Sequence, residues 1–99
     1  MPYALNENIK KLRMARGESQ VALAKTLGVA KQCVSNWENG NVLPFIEMLT
    51  RLADAFAVTA DYLLGRDENA FLDVSKLTEI QRGHVSLLID DLVQLNEKA

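Results

Sequence analysis

The sequence predicts an all-α protein, a bundle of five short helices followed by a longer sixth. Three observations predict it. Apolar residues recur at spacings of three and four, strand-type alternation is poor, and capping or turn residues punctuate the chain at short intervals. Only two prolines and five glycines interrupt 99 residues, which leaves room for helices.

The first helix is expected to start near Asn6 as N-cap, with Glu7 favourable to the helix dipole, and to stop at Gly17. Its inward residues would be Ile9, Leu12 and Met14. Ser19 reads as the N-cap of a second helix, Gln20 to Leu27, that turns Val21, Leu23, Ala24 and Leu27 inward and closes at Gly28. A third runs from Lys31 to Glu38 with Val34 and Trp37 buried, ended by the turn Asn39-Gly40-Asn41. Beyond Pro44 a fourth helix, Ile46 to Phe56, carries the stripe Met48, Leu49, Leu52, Ala53 and Phe56. Thr59 caps a short fifth helix, Ala60 to Leu64, in which Tyr62 and Leu63 face the core and which Gly65 ends. A polar, acidic linker interrupted by Phe71, Leu72 and Val74 then leads to Thr78, where the last helix opens and continues to about Glu97. The expected divisions are 1–66 for the bundle, 67–77 for the linker and 78–99 for the final helix.

Composition is that of an ordinary globular chain, nearly half hydrophobic and about a quarter charged. No apolar run is long enough for a membrane span, and the amino terminus lacks the basic-then-apolar pattern of a secretory signal. Cys33 is alone, so no internal disulfide can form, which fits a cytoplasmic location. The net charge of −2 hides an asymmetry: residues 1–66 carry eight basic against six acidic residues, and residues 67–99 three against seven. A polyanion would meet the first part and be repelled by the second. No nucleophile–base pair, phosphate-cradling glycine loop or metal-ligand cluster is present, His84 being isolated, so neither catalysis nor a cofactor or metal is expected.

The informative unit is QVALAKTLGVAKQCVSNWENG, residues 20–40. Two short helices joined across a glycine, with small Ala24 at the crossing, are what a helix-turn-helix needs. Gly28 can take the positive φ of the tight turn. On the third helix Lys31, Gln32, Ser35 and Asn36 are left outward, one turn apart in pairs and without an acid among them. Amide side chains pair bidentately with adenine, and lysine reaches guanine acceptors or phosphate.

The chain resembles the lambda-repressor-like (Cro/repressor, XRE-type) helix-turn-helix family from roughly Asn8 to Gly65, through IKKLRMARGESQ, LAKTLGV, VSNWENG, LPFIEMLTRLADAF and TADYLLG. The resemblance implies a five-helix bundle whose third helix enters the major groove of double-stranded DNA. It also implies a transcriptional repressor that binds a two-fold operator as a homodimer, of the type found in prophages. On matching positions, it makes Gln20, Lys31, Gln32 and Asn36 base-contacting, with Ser35 beside them, and pairs Arg13 with Glu38 in a structural ion pair. Ser19, Lys10, Lys25, Asn39 and Asn41 are the phosphate-contact candidates. Lys10, Lys11, Arg16 and Lys25 are in reach of phosphates, though for each taken alone the plainer reading, a solvated charge, is preferred.

Two departures stand out. Ala30 occupies a position where relatives place a capping Ser or Thr, and Asn41-Val42-Leu43-Pro44-Phe45 replaces a segment usually basic and ended by a capping Ser. Fewer phosphate contacts imply a shallower salt dependence. Val42, Leu43 and Phe45 either fold onto the core, the reading preferred, or mark a protein contact.

On the last helix Val85, Leu88, Leu92 and Leu95 recur at spacings of three and four, flanked by Leu87, Ile89 and Val93. Pairing of this face between two copies would serve successive major grooves about 34 Å apart. The alternative is a helix packed back on its own bundle. Two other functional classes stay open: an antitoxin gripping a toxin, and a helix-turn-helix turned to binding a protein such as an antirepressor.

Overall fold

In the computed structural model, which describes residues 4–67 and 72–98, the chain folds as six helices with no strand among the described residues. These are α1 (Leu5–Ala15), α2 (Gln20–Leu27), α3 (Lys31–Glu38), α4 (Ile46–Phe56), α5 (Ala60–Leu63) and α6 (Glu79–Lys98). Phe71, counted above with the linker, and residues 1–3 lie outside the described residues.

One apolar core joins the first five helices. Ile9 of α1, Leu23 and Leu27 of α2, Val34 of α3, Leu52 of α4 and Leu63 of α5 are its largest fully buried side chains. Leu5, Ala24, Trp37, Ala53 and Phe56 complete the cluster, and Leu12, Val29, Met48 and Leu49 are among the side chains that pack half-buried around it. At roughly 2 kcal/mol per fully buried large apolar side chain, this cluster is the main source of stability in so short a chain.

Local chemistry sets most of the boundaries. Ser19 (φ −81, ψ 167) and Thr59 (φ −77, ψ 154) sit in extended backbone, and their hydroxyls accept from Ala22 N and Tyr62 N. Gly28 closes α2 in the left-handed region at φ 71. A Cβ there would approach nothing nearer than the Arg51 guanidinium at 3.9 Å, so the position selects glycine through its backbone angle and not through crowding. Ala30 has the same cap backbone as Ser19 and Thr59 (φ −74, ψ 150) but no hydroxyl to accept a bond. Ala30→Ser is therefore expected to raise stability by about 1 kcal/mol, read as a higher denaturant midpoint at unchanged slope.

Several expectations are corrected. Asn6 is not the N-cap of α1: the helix begins at Leu5, with Ala4 before it and no side-chain cap. Burial of Leu5 in the core draws the helix start inward. Met14 and Val21 are exposed, because the buried faces follow Leu5, Ile9 and Leu12 on α1 and Leu23, Ala24 and Leu27 on α2, and each outlier lies two residues off its face. Helix α5 ends at Leu63 and not Leu64. Core packing of Val42, Leu43 and Phe45 does not occur; all three are exposed, Phe45 and its neighbour Ile46 to 83%. Pro44 and the short turn carry these side chains past the core that Met48 and Leu49 already cover.

Thr78 and Gln81 form a reciprocal capping box: the Thr78 hydroxyl accepts from Gln81 N, and the Gln81 side-chain oxygen accepts from Thr78 N. Arg82 turns back to donate to the Val74 and Ser75 carbonyls, which ties the helix to the segment before it. No α6 residue is buried, so the helix does not bury its leucine face on its own bundle. None of the described helices is long and apolar enough to cross a membrane.

Candidate nucleic-acid interface

The α2–α3 pair is built from the inside outward. Ala24 is buried where the two helices cross, and Val34 and Trp37 press α3 onto the core. Seating that side leaves the opposite side of α3 to solvent: Lys31 and Gln32 are exposed, Ser35 and Asn36 partly so. Gln32 Nε2 donates to Asn36 Oδ1 at 3.0 Å, and Asn39 Nδ2 donates to Ser35 Oγ at 3.4 Å. These one-turn pairings hold the row in place while leaving the Gln32 carbonyl and the Asn36 amide nitrogen as acceptor and donor.

Behind the row lies a charged network. Arg13 Nε donates to Glu38 Oε2 at 2.7 Å and Arg13 Nη2 to Glu38 Oε1 at 3.0 Å, a bidentate pair, while Nη1 donates to the Glu18 carbonyl. Gln20 Nε2 donates to Glu38 Oε1 at 3.0 Å, so the buried carboxylate joins α1, α2 and α3. Burial alone would push the Glu38 carboxyl up. The hydrogen bonds from Arg13 and Gln20, with the Arg13 and Lys10 charges, together outweigh it and hold the group below the usual carboxylate range. The same pairing raises Arg13.

Of the other sequence candidates, Lys10, Lys25, Asn39 and Asn41 are exposed, and the Ser19 hydroxyl is engaged as the α2 cap. Gln20 is half-buried, and its amide nitrogen faces Glu38. That bond spans 18 residues, and only the shared proximity of Gln20 and Arg13 to Glu38 reveals it. Sequence reasoning also missed Asn8, whose amide donates to the Tyr62 and Leu63 carbonyls and fastens α1 to the end of α5.

Beside α3 opens an apolar cavity of about 290 Å³, lined by Cys33, Asn36, Trp37, Val42, Leu43 and Phe45 among others. No Lys or Arg occurs between Lys31 and Arg51, so this flank offers no cation to a phosphate. Among the described residues no group of three or more His, Cys, Asp or Glu could hold a metal ion.

Comparison with known proteins agrees with this geometry. A helix-turn-helix family model matches residues 9–63, more than half of the chain. The chain is 27% identical over 97 residues to RstR, a transcriptional repressor of the cryptic phage CTXphi of Vibrio cholerae, covering 90% of this chain and 87% of RstR. It is 36% identical over 63 residues to BcrR, a transcriptional activator of Enterococcus faecalis, covering 64% of this chain but only 31% of that relative's length. Among solved structures, the P22 c2 repressor bound to a synthetic operator superposes with a TM-score of 0.60 at 35% identity, over 64% of this chain and 96% of the repressor. The chain belongs to the XRE-type, lambda-repressor-like helix-turn-helix family of DNA-binding transcriptional regulators.

Proposed function

We propose that the chain is a repressor that binds a palindromic operator as a homodimer, laying α3 in the major groove and reading bases directly, and that it acts by binding, without catalysis, in the cytoplasm. The outward row of Lys31, Gln32, Ser35 and Asn36, with no acidic residue, carries the reading. Resemblance to the operator-bound P22 c2 repressor supports the DNA partner, and RstR supports the repressor sense. Val85, Leu88, Leu92 and Leu95 of α6 are assigned to the dimer interface. Gln20 acts mainly by orienting Glu38, with its remaining acceptor capacity directed to DNA.

Selection of bound duplexes from random DNA tests the proposal; a two-fold motif with half-sites one helical turn apart is expected. Gln32→Ala and Asn36→Ala should each relax preference at one base pair per half-site, by about 1–3 kcal/mol of discrimination. Lys10→Ala and Lys25→Ala should weaken all sequences alike and flatten the salt dependence. With Lys10, Lys25 and Lys31 as the cations of each subunit, a slope of log K against log salt no steeper than about −5.4 follows for the dimer. Failure to enrich any sequence would overturn the reading.

A second reading, in which this protein also grips a protein partner such as an antirepressor or toxin, is favoured by one observation. Phe45 and Ile46 stand exposed beside an apolar cavity that shares Asn36 with the base-reading row.

A further inference from the structure

We infer that α6 pairs antiparallel with α6 of a second copy about a two-fold axis level with Asp90, which sets the two helix-turn-helix units at opposite ends of the pair. This rests on the homodimer reading above and specifies its geometry.

The first observation is the pattern of α6 itself. Around Asp90 its hydropathy is mirrored: Val85 answers Leu95, Ser86 answers Gln94, Leu87 answers Val93 and Leu88 answers Leu92, with only Ile89 and Asp91 breaking the match. A two-fold interface requires that where one residue meets another, the reciprocal contact is made too. An antiparallel helix pair centred at residue 90 meets that demand by setting Leu88 on Leu92 and Val85 on Leu95 of the second copy. A parallel pair sets each residue against itself and asks for no mirror symmetry.

The second observation is exposure. Leu88, Leu92 and Leu95 are open to solvent and none of α6 is buried, so the face has no occupant within the chain's described residues. Asp90 and Glu97, seven residues apart, mark the opposite side and stay in water. On the flanks, antiparallel pairing brings Ile89 to Ile89 of the second copy, whereas parallel pairing leaves it beside His84. It also sets Asp91 near its symmetry mate, at an exposed position where salt screens the repulsion.

The third is length. Glu79 begins α6 eleven residues before Asp90. At about 1.5 Å per residue, the two α6 starts lie roughly 33 Å apart, at opposite ends of the pair. Parallel pairing would instead bring the two starts together at one end.

Cysteine cross-linking in the full chain, on a Cys33→Ser background, decides the orientation. Leu88→Cys, Leu92→Cys and an equimolar mixture equilibrated under reducing conditions are each oxidised, and covalent dimer is measured on non-reducing gels. The mixture is expected to cross-link at least tenfold faster than either variant alone, because position 88 faces position 92 and only then are the sulfurs within reach. Cross-linking of each single variant as fast as the mixture would establish parallel pairing and overturn this inference while leaving the homodimer intact. No cross-linking in any sample would overturn this inference and, with it, the assignment of α6 to the dimer interface.

Discussion

Replacing Leu88 and Leu92 together by glutamate is expected to leave the five-helix bundle folded and to convert the protein to a monomer with operator affinity lowered by at least about a hundredfold. Neither leucine is buried in the chain, so the substitutions remove no core contact. In a pair of α6 helices the same side chains form the central layers, each worth roughly 2 kcal/mol when buried, and four carboxylates would be forced into that seam. Dimerisation makes the second half-site encounter intramolecular, which commonly multiplies apparent affinity by about 10²–10⁴. Its loss therefore falls on the complex although no DNA-facing residue has changed. A 20-residue helix without a partner is also marginal in water, so circular dichroism of the variant should lose part of the α6 signal while the bundle's cooperative melt persists. An unchanged sedimentation coefficient would remove α6 from the interface.

How far the sequence reveals this molecule depends on the range of the forces that set each feature. The bounds of α2, α3 and α4 coincide with those read from the residues, because Ser19, Gly28 and the alternation of apolar and polar side chains act within a turn or two. The start of α1 is not local. It depends on Leu5 entering a core that α5 helps to close, and on Ala4 lying so near Gly65 that a Cβ there would stand 3.3 Å from its nitrogen. Met14 and Val21 mislead for a related reason: an apolar residue at the edge of an amphipathic face is resolved only by what packs against it. In the site, the outward row of α3 is legible because burying Val34 and Trp37 settles the opposite side of so short a helix. The bond of Gln20 to Glu38 is not legible, since it needs three helices in place before either side chain has its partner. The apolar segment from Val42 to Phe45 is the clearest departure from the simplest rule, hydrophobic residues standing in water where a core was expected.

Arg13→Ala is expected to be the most damaging single substitution outside the apolar core, costing about 3–5 kcal/mol, whereas Lys10→Ala, at an exposed position, should stay within roughly 0.5 kcal/mol. The Glu38 side chain is only 2% exposed, and without Arg13 it keeps a single neutral donor, Gln20. The cost thus comes from stranding a buried charge and not from the net worth of the pair. Replacing both partners by apolar residues of similar volume should accordingly recover most of the loss, and a double variant as unstable as Arg13→Ala would show that the pair itself stabilises the fold. Acid supplies an independent check with a definite sign. Because the folded state holds Glu38 below its unfolded value, the carboxylate contributes its full stabilisation above the unfolded range near about 4.3. That contribution drains away as pH falls through the lower folded value, below which the group is protonated in both states. The stability difference between the native chain and Glu38→Gln should therefore be constant near neutrality and shrink only below about pH 4, and, unlike the smaller contribution of a surface ion pair, it should change little with added salt.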